Sequence, residues 1–292
     1  MIEPVLNALR RPWVAVEIFV FANLAFLTAD VYVAHSVNAF ERTPEWIPVF
    51  FSLAAPVFLI IAAFVRGRTG KSIGLLVGWS SLIVGIAGML FHLESHFFEE
   101  QTIRNLVYTA PFVAPLAYAG LGLLLILDRM VDSETIEWAQ WVVFLALGGF
   151  AGNFVLSLAD HAQNGFFNRN EWLPVVTSAA AVGFLLMVVV RPADLSVRRA
   201  TWIVLALQVV IGTAGFIFHL RANLHQTSPR LWDRFLYGAP VFAPLLFPNL
   251  AILAALGMWA LQRGDILDST SGPHGSRSIS SRSSTLVFRD SR

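Results

Sequence analysis

Cysteine is absent from all 292 residues. That removes disulfides, thiolate metal ligands and cysteine nucleophiles together. A metal site in this chain must therefore use His, Asp, Glu, backbone oxygen or water. Charge is also scarce: Asp, Glu, Lys and Arg make up 13% of the chain, where a soluble domain carries about 25%. The net charge of +1 gives no electrostatic footprint for nucleic acid, which is excluded as a partner. No phosphate-cradling glycine loop, nucleophile elbow or HExxH pair is present, which argues against a hydrolase of the soluble type.

What the chain has instead is apolar length, with hydrophobic residues at 56%. A span needs ~20 mostly apolar residues to cross ~30 Å of hydrocarbon. Eight segments qualify, roughly 14–36, 46–66, 72–93, 106–127, 139–161, 172–190, 200–221 and 236–261. The first follows Arg10 and Arg11, is too long for a removable signal peptide and has no small-residue cleavage site, so it reads as an uncleaved anchor. Of the 20 basic residues, fourteen fall on one side of this topology and six on the other. By the positive-inside rule both termini are cytoplasmic, and the expected location is a bacterial inner membrane.

The chain also repeats itself. Gly85-Ile-Ala-Gly88-Met-Leu-Phe-His92-Leu93 recurs as Gly212-Thr-Ala-Gly215-Phe-Ile-Phe-His219-Leu220. His35, Asn38, Phe40, Glu45, Trp46, Pro48 and Val49 recur 126 positions later, from His161 to Val175. Tyr108, Pro111 and Pro115 recur as Tyr237, Pro240 and Pro244, an offset of 129. The expected fold is all-α and polytopic: eight transmembrane helices in two tandem four-helix repeats, residues 1–130 and 131–262. With an even number of spans per repeat, both copies share one orientation, related by a pseudo-two-fold along the membrane normal. Residues 263–292, with the Ser/Arg run from Ser276 to Ser284, have too little apolar content to fold and are expected to be a disordered cytoplasmic tail.

The topology places His35, His92, His161 and His219 at the outer ends of the first, third, fifth and seventh spans. At ~1.5 Å per residue these rings share one depth, on the outer face. Imidazoles at a common depth suit Cu, Fe or Zn, with carboxylates orienting them, and Glu45 and Glu171 are placed for that supporting role. His96, four residues after His92, joins the candidate metal ligands if its helix continues through the interface. Tyr108 and Tyr237 stand at the start of the fourth and eighth spans, where their hydroxyls can serve a ligand.

Gly85 and Gly88 lie on the helix face below His92, as Gly212 and Gly215 do below His219. Such a strip lets a b-type haem lie flat against the helix; equally, it lets two helices approach closely. The third and seventh helices are thus expected to meet across the pseudo-two-fold. The proline pairs are read as lying in the first turns of the fourth and eighth helices, where they free carbonyls that need partners. Glu17, near the cytoplasmic end, is read as reaching its carboxylate toward the interface.

Three functions fit. One is a transition-metal or haem protein of the outer face, for electron transfer or redox chemistry with a membrane redox partner or as a homo-oligomer. Another is a transporter or permease for a small solute or metal ion, with Asp30 and Asp160 as its deep ionisable residues, although they do not occupy equivalent repeat positions. The third is a structural or assembly subunit of a membrane complex.

Overall fold

A computed structural model of the chain describes residues 11–65 and 67–270, with residues 264–270 as backbone only. Among the described residues the chain is helical without strands. In chain order the helices are α1 (Pro12–Ser36), α2 (Trp46–Val65), α3 (Gly67–Glu94), the short α4 (Ile103–Tyr108), α5 (Leu116–Met130), α6 (Ile136–Gln163), α7 (Trp172–Val190), α8 (Leu195–Leu224), the short α9 (Leu231–Leu236) and α10 (Leu246–Thr270). Three-residue 3₁₀ turns at Thr43–Glu45, Arg169–Glu171 and Ala243–Leu245 precede α2, α7 and α10.

Seven of these helical segments are long and apolar enough to cross a membrane. Their outer surfaces are apolar: Phe64 is 82% exposed and Ile203 73%, with Phe50, Leu53, Leu76 and Val176 also turned outward. The interior, by contrast, holds Ser52, Ser81, Ser178 and Gln208. Only lipid makes that distribution favourable. The chain is a multi-pass integral membrane protein.

The expected fourth span is shorter than anticipated. Residues 106–127 do not form one helix; α4 ends at Tyr108, an irregular lead-in follows, and α5 begins at Leu116 with Pro115 as its N-cap. At 15 residues α5 is about 22 Å long, less than the hydrocarbon core. The same break separates α9 from α10. Proline explains both breaks. Pro111 and Pro240 have no N–H to donate, and they lie in the non-helical lead-ins rather than in a first helical turn. At the other end, α10 runs on to Thr270, so residues 263–270 are helical where a disordered tail was expected. Residues 271–292 lie outside the described residues.

Helices α1, α2, α3 and α5 pack in a ring, each against the next, and α6, α7, α8 and α10 do the same. The two rings meet through α1, α5, α6 and α10. The core centres on Val20, Leu24, Leu124, Trp138, Phe150 and Met258. Contrary to expectation, α3 and α8 do not form the junction; each sits at the far side of its own ring. The junction carries instead a reciprocal amide pair: Asn249 donates to Asn23 Oδ1 at 2.6 Å, and Asn23 to Asn249 Oδ1 at 3.2 Å. Glu17 forms an ion pair with Arg129 of α5.

Candidate functional site

At the end of α1 the chain reverses through two left-handed residues, Ala39 (φ 55°) and Phe40 (φ 54°). The Phe40 N–H donates to the His35 carbonyl at 3.2 Å. After α6 the chain turns the same way through Gly165 (φ 68°) and Phe166 (φ 50°), and Phe166 donates to the His161 carbonyl at 3.1 Å. A left-handed non-glycine residue costs roughly 1–2 kcal/mol. Aromatic stacking offsets part of it, by about 0.5–1.5 kcal/mol. Phe40 stacks on Trp46 with centroids 4.0 Å apart, and Phe166 on Trp172 at 4.1 Å. Each turn thereby folds the chain back on itself and brings the glutamate just before the tryptophan against the histidine.

The resulting pairs match closely. His35 Nδ1 lies 3.8 Å from Glu45 Oε2, and His161 Nδ1 lies 3.7 Å from Glu171 Oε2. In both, that carboxylate oxygen is buried and accepts no hydrogen bond. Asn38 donates to the other oxygen of Glu45 at 3.0 Å.

A second imidazole comes from the third helix of each ring. His92 Nδ1 is 2.9 Å from the Pro111 carbonyl oxygen, and His219 Nδ1 is 2.8 Å from that of Pro240. A carbonyl only accepts, so Nδ1 carries the proton in both rings, and in the neutral imidazole Nε2 keeps its lone pair. The Pro111 and Pro240 carbonyls, which also accept from the Ala114 and Ala243 N–H groups of the lead-in turns, thus fix the tautomer of the histidines. The centroids of His35 and His92 are 6.1 Å apart with planes at 77°. His161 and His219 are close enough to interact electrostatically.

The lead-ins are tied to the histidine-bearing helices by different residues in the two halves. Ser95 accepts from the Ala110 N–H at 3.0 Å, and Thr109 donates to the His92 carbonyl at 2.6 Å. In the other half Asn223, fully buried, accepts from the Ala239 N–H at 2.8 Å and donates to the Ala239 carbonyl at 2.9 Å. Sequence reasoning passed over Ser95, Thr109 and Asn223 because they do not repeat as residue types. It also gave Phe40 and Phe166 no role, although their six-residue spacing to Trp46 and Trp172 recurs.

Of the expected site residues, the structure pairs His35 with His92 beside Glu45, and His161 with His219 beside Glu171. The four imidazoles therefore form two pairs rather than one cluster. His96 is exposed in the turn after α3, which ends at Glu94, so the four-residue helical spacing to His92 does not hold. Tyr108 and Tyr237 are 55% and 65% exposed, and their hydroxyls make no hydrogen bond among the described residues. The hydroxyl that is engaged belongs to Tyr118, 2.5 Å from Ser52 Oγ in the core of the first ring.

The glycine strips are occupied by protein. A Cβ on Gly85 would come within 2.9 Å of the Pro115 oxygen and of Ala119 Cβ, and one on Gly88 within 2.8 Å of Pro115. On α8, Gly212 and Gly215 meet Pro248 and Pro244 in the same manner. Close helix approach accounts for these glycines, and a porphyrin laid on either strip would overlap the neighbouring helix. Among the described residues no group of three or more His, Asp or Glu is arranged to hold a metal ion. Comparison of the chain with protein-family models, curated proteins and solved structures returned no match.

Proposed function

We propose that this is a membrane metalloprotein with one transition-metal position in each half, held by His35 and His92 in the first and by His161 and His219 in the second. One observation carries the proposal. In both halves a prolyl carbonyl fixes Nδ1 of one imidazole, and a buried carboxylate oxygen without a hydrogen bond faces Nδ1 of the other. Metal-bound imidazoles commonly hand their second ring N–H to a carbonyl or carboxylate in this way. Ligation of His35 at Nε2 would place its proton on Nδ1, where Glu45 Oε2 stands ready to accept it. With metal–nitrogen bonds of ~2 Å, two imidazoles on one ion have centroids about 5–6.5 Å apart, which spans the 6.1 Å found. Two protein ligands leave positions for water or a substrate, and imidazole suits Cu, Fe and Zn. Copper or iron would serve electron transfer or redox chemistry.

The two halves are, in this proposal, copies of one four-helix unit, with α5 as the fourth of eight crossings and the pseudo-two-fold along the membrane normal. The recurring histidine–proline and histidine–glutamate contacts support it. The distribution of basic residues supports cytoplasmic termini and an outward-facing histidine end.

Purification of the full chain in detergent, reconstitution with Cu²⁺, Fe²⁺ or Zn²⁺ and elemental analysis test the proposal. Two equivalents are expected per chain, one in His92→Ala, none in the His92→Ala/His219→Ala pair, and two in His96→Ala. A folded wild-type chain that retains no metal under any of these conditions would overturn it and favour transport or scaffolding.

A further inference from the structure

A cavity of about 170 Å³ opens between α1 and the lead-in to α10, lined by Asp30, Val37, Phe235, Gly238, Pro240 and Phe242 among others. A second, much smaller one of about 10 Å³ lies between α6, the end of α4 and the lead-in to α5. The two are counterparts. Every residue lining the first has its equivalent lining the second, at an offset of 126 along the helix (30 to 156) and 129 along the lead-in (111 to 240), with Ala110 as the one addition. Each contains one aspartate, Asp30 or Asp160, placed one helical turn apart in the aligned frames. The sequence offset made these two residues look unrelated, yet both line the same place in the fold.

The size difference has a visible cause. In the small cavity Gln163 Nε2 donates to the Val107 carbonyl of α4 at 2.6 Å and ties α4, just before the lead-in, to α6. Its counterpart in the large cavity is Val37, which has no donor. Asp30 makes no hydrogen bond or ion pair among the described residues, so its carboxylate is a free acceptor against apolar and aromatic walls.

From this geometry we infer that the Asp30 cavity is a binding site for a lipid-soluble, single-ring aromatic molecule carrying an N–H or O–H donor. Three observations set that class. The volume suits one substituted ring, since a ~150 Å³ apolar cavity holds benzene. The walls are apolar, with Phe235 and Phe242 among them. One carboxylate stands ready to receive one donor head, an arrangement typical of small-molecule sites. The lining residues belong to membrane-length α1, to the short α9 and to the lead-in to α10, a setting that suits a ligand able to partition into the bilayer. The inference is independent of metal at the histidines.

The test measures binding of phenol, with toluene as the donor-free control, to the full chain in detergent by ligand-observed NMR. Wild type is expected to bind one phenol per chain and to prefer it over toluene. Asp30→Leu should weaken phenol by about tenfold, the loss of one hydrogen bond to the carboxyl group, while toluene binding persists. Val37→Gln, which installs the Gln163 type of latch without touching Asp30, should abolish binding of both. Gln163→Val should open the Asp160 cavity and raise the stoichiometry to two. An unchanged preference in Asp30→Leu, or unchanged binding in Val37→Gln, would overturn the assignment. Equal binding of phenol and toluene by wild type would also overturn it and mark the cavity as a seat for an acyl chain.

Discussion

Ala39 and Gly165 occupy the same place in the two turns, both at positive φ. Only glycine adopts that conformation without strain from a Cβ, so the first half carries a strain that the second has relieved. Ala39→Gly is expected to stabilise the protein by up to about 1 kcal/mol, read as a rise in thermal midpoint in detergent with metal content unchanged. No change would mean that glycine's extra freedom in the unfolded chain cancels the gain. At the same scale His92 and His219 owe their tautomer to a single carbonyl each. Neither carbonyl is identifiable by residue type, since any residue supplies one. Proline matters because it cannot continue the helical ladder and leaves the chain non-helical there. The repeated prolines were legible in the sequence; the partner of the carbonyls they carry was not.

At the scale of elements, the contact between α3 and α5 depends on glycine where backbone meets backbone. A Cβ at Gly85 meets the Pro115 oxygen and the Ala119 nitrogen, neither of which can swing away. Gly120, on α5, has nothing within 4 Å of the same atom. The same chemical change should therefore have opposite signs at the two positions. Gly85→Ala is expected to destabilise by about 1–3 kcal/mol through overpacking, and Gly120→Ala to stabilise by about 0.5–1 kcal/mol through reduced backbone freedom. Equal effects in a denaturant titration would contradict the packing described for α3. The short α5 belongs to the same account. Its lead-in is diverted to serve His92, and the helix begins only at Leu116, so a span that looked continuous by hydropathy is divided by hydrogen bonding.

At the scale of the molecule, two rings of four helices are joined through α1, α5, α6 and α10. The Asn23–Asn249 pair sits on one side of that junction. At the equivalent positions on the other side, 149 and 120, there are glycines. The junction is thus polar on one flank and bare on the other, although the helices correspond. Interhelical hydrogen bonds in membranes average ~0.6 kcal/mol and reach ~1.7. A double-mutant cycle of Asn23→Leu and Asn249→Leu should give a coupling within that range. Zero coupling would mean that apolar packing alone joins the rings.

The sequence by itself determined the membrane-length apolar segments, the helical content and the recurrence of residues between the halves. These follow from composition and residue order, and position along a helix axis follows from residue number at a fixed rise. Only the tertiary structure decided which histidines pair, because pairing depends on which helices are neighbours and how each is rotated about its axis. His35 faces His92, and His161 interacts with His219, since α1 and α3 belong to one ring and α6 and α8 to the other. The axial position of His92 was readable from its number; that its Nδ1 would be held by Pro111, 19 residues on, was set by the packing of α3 against the lead-in to α5.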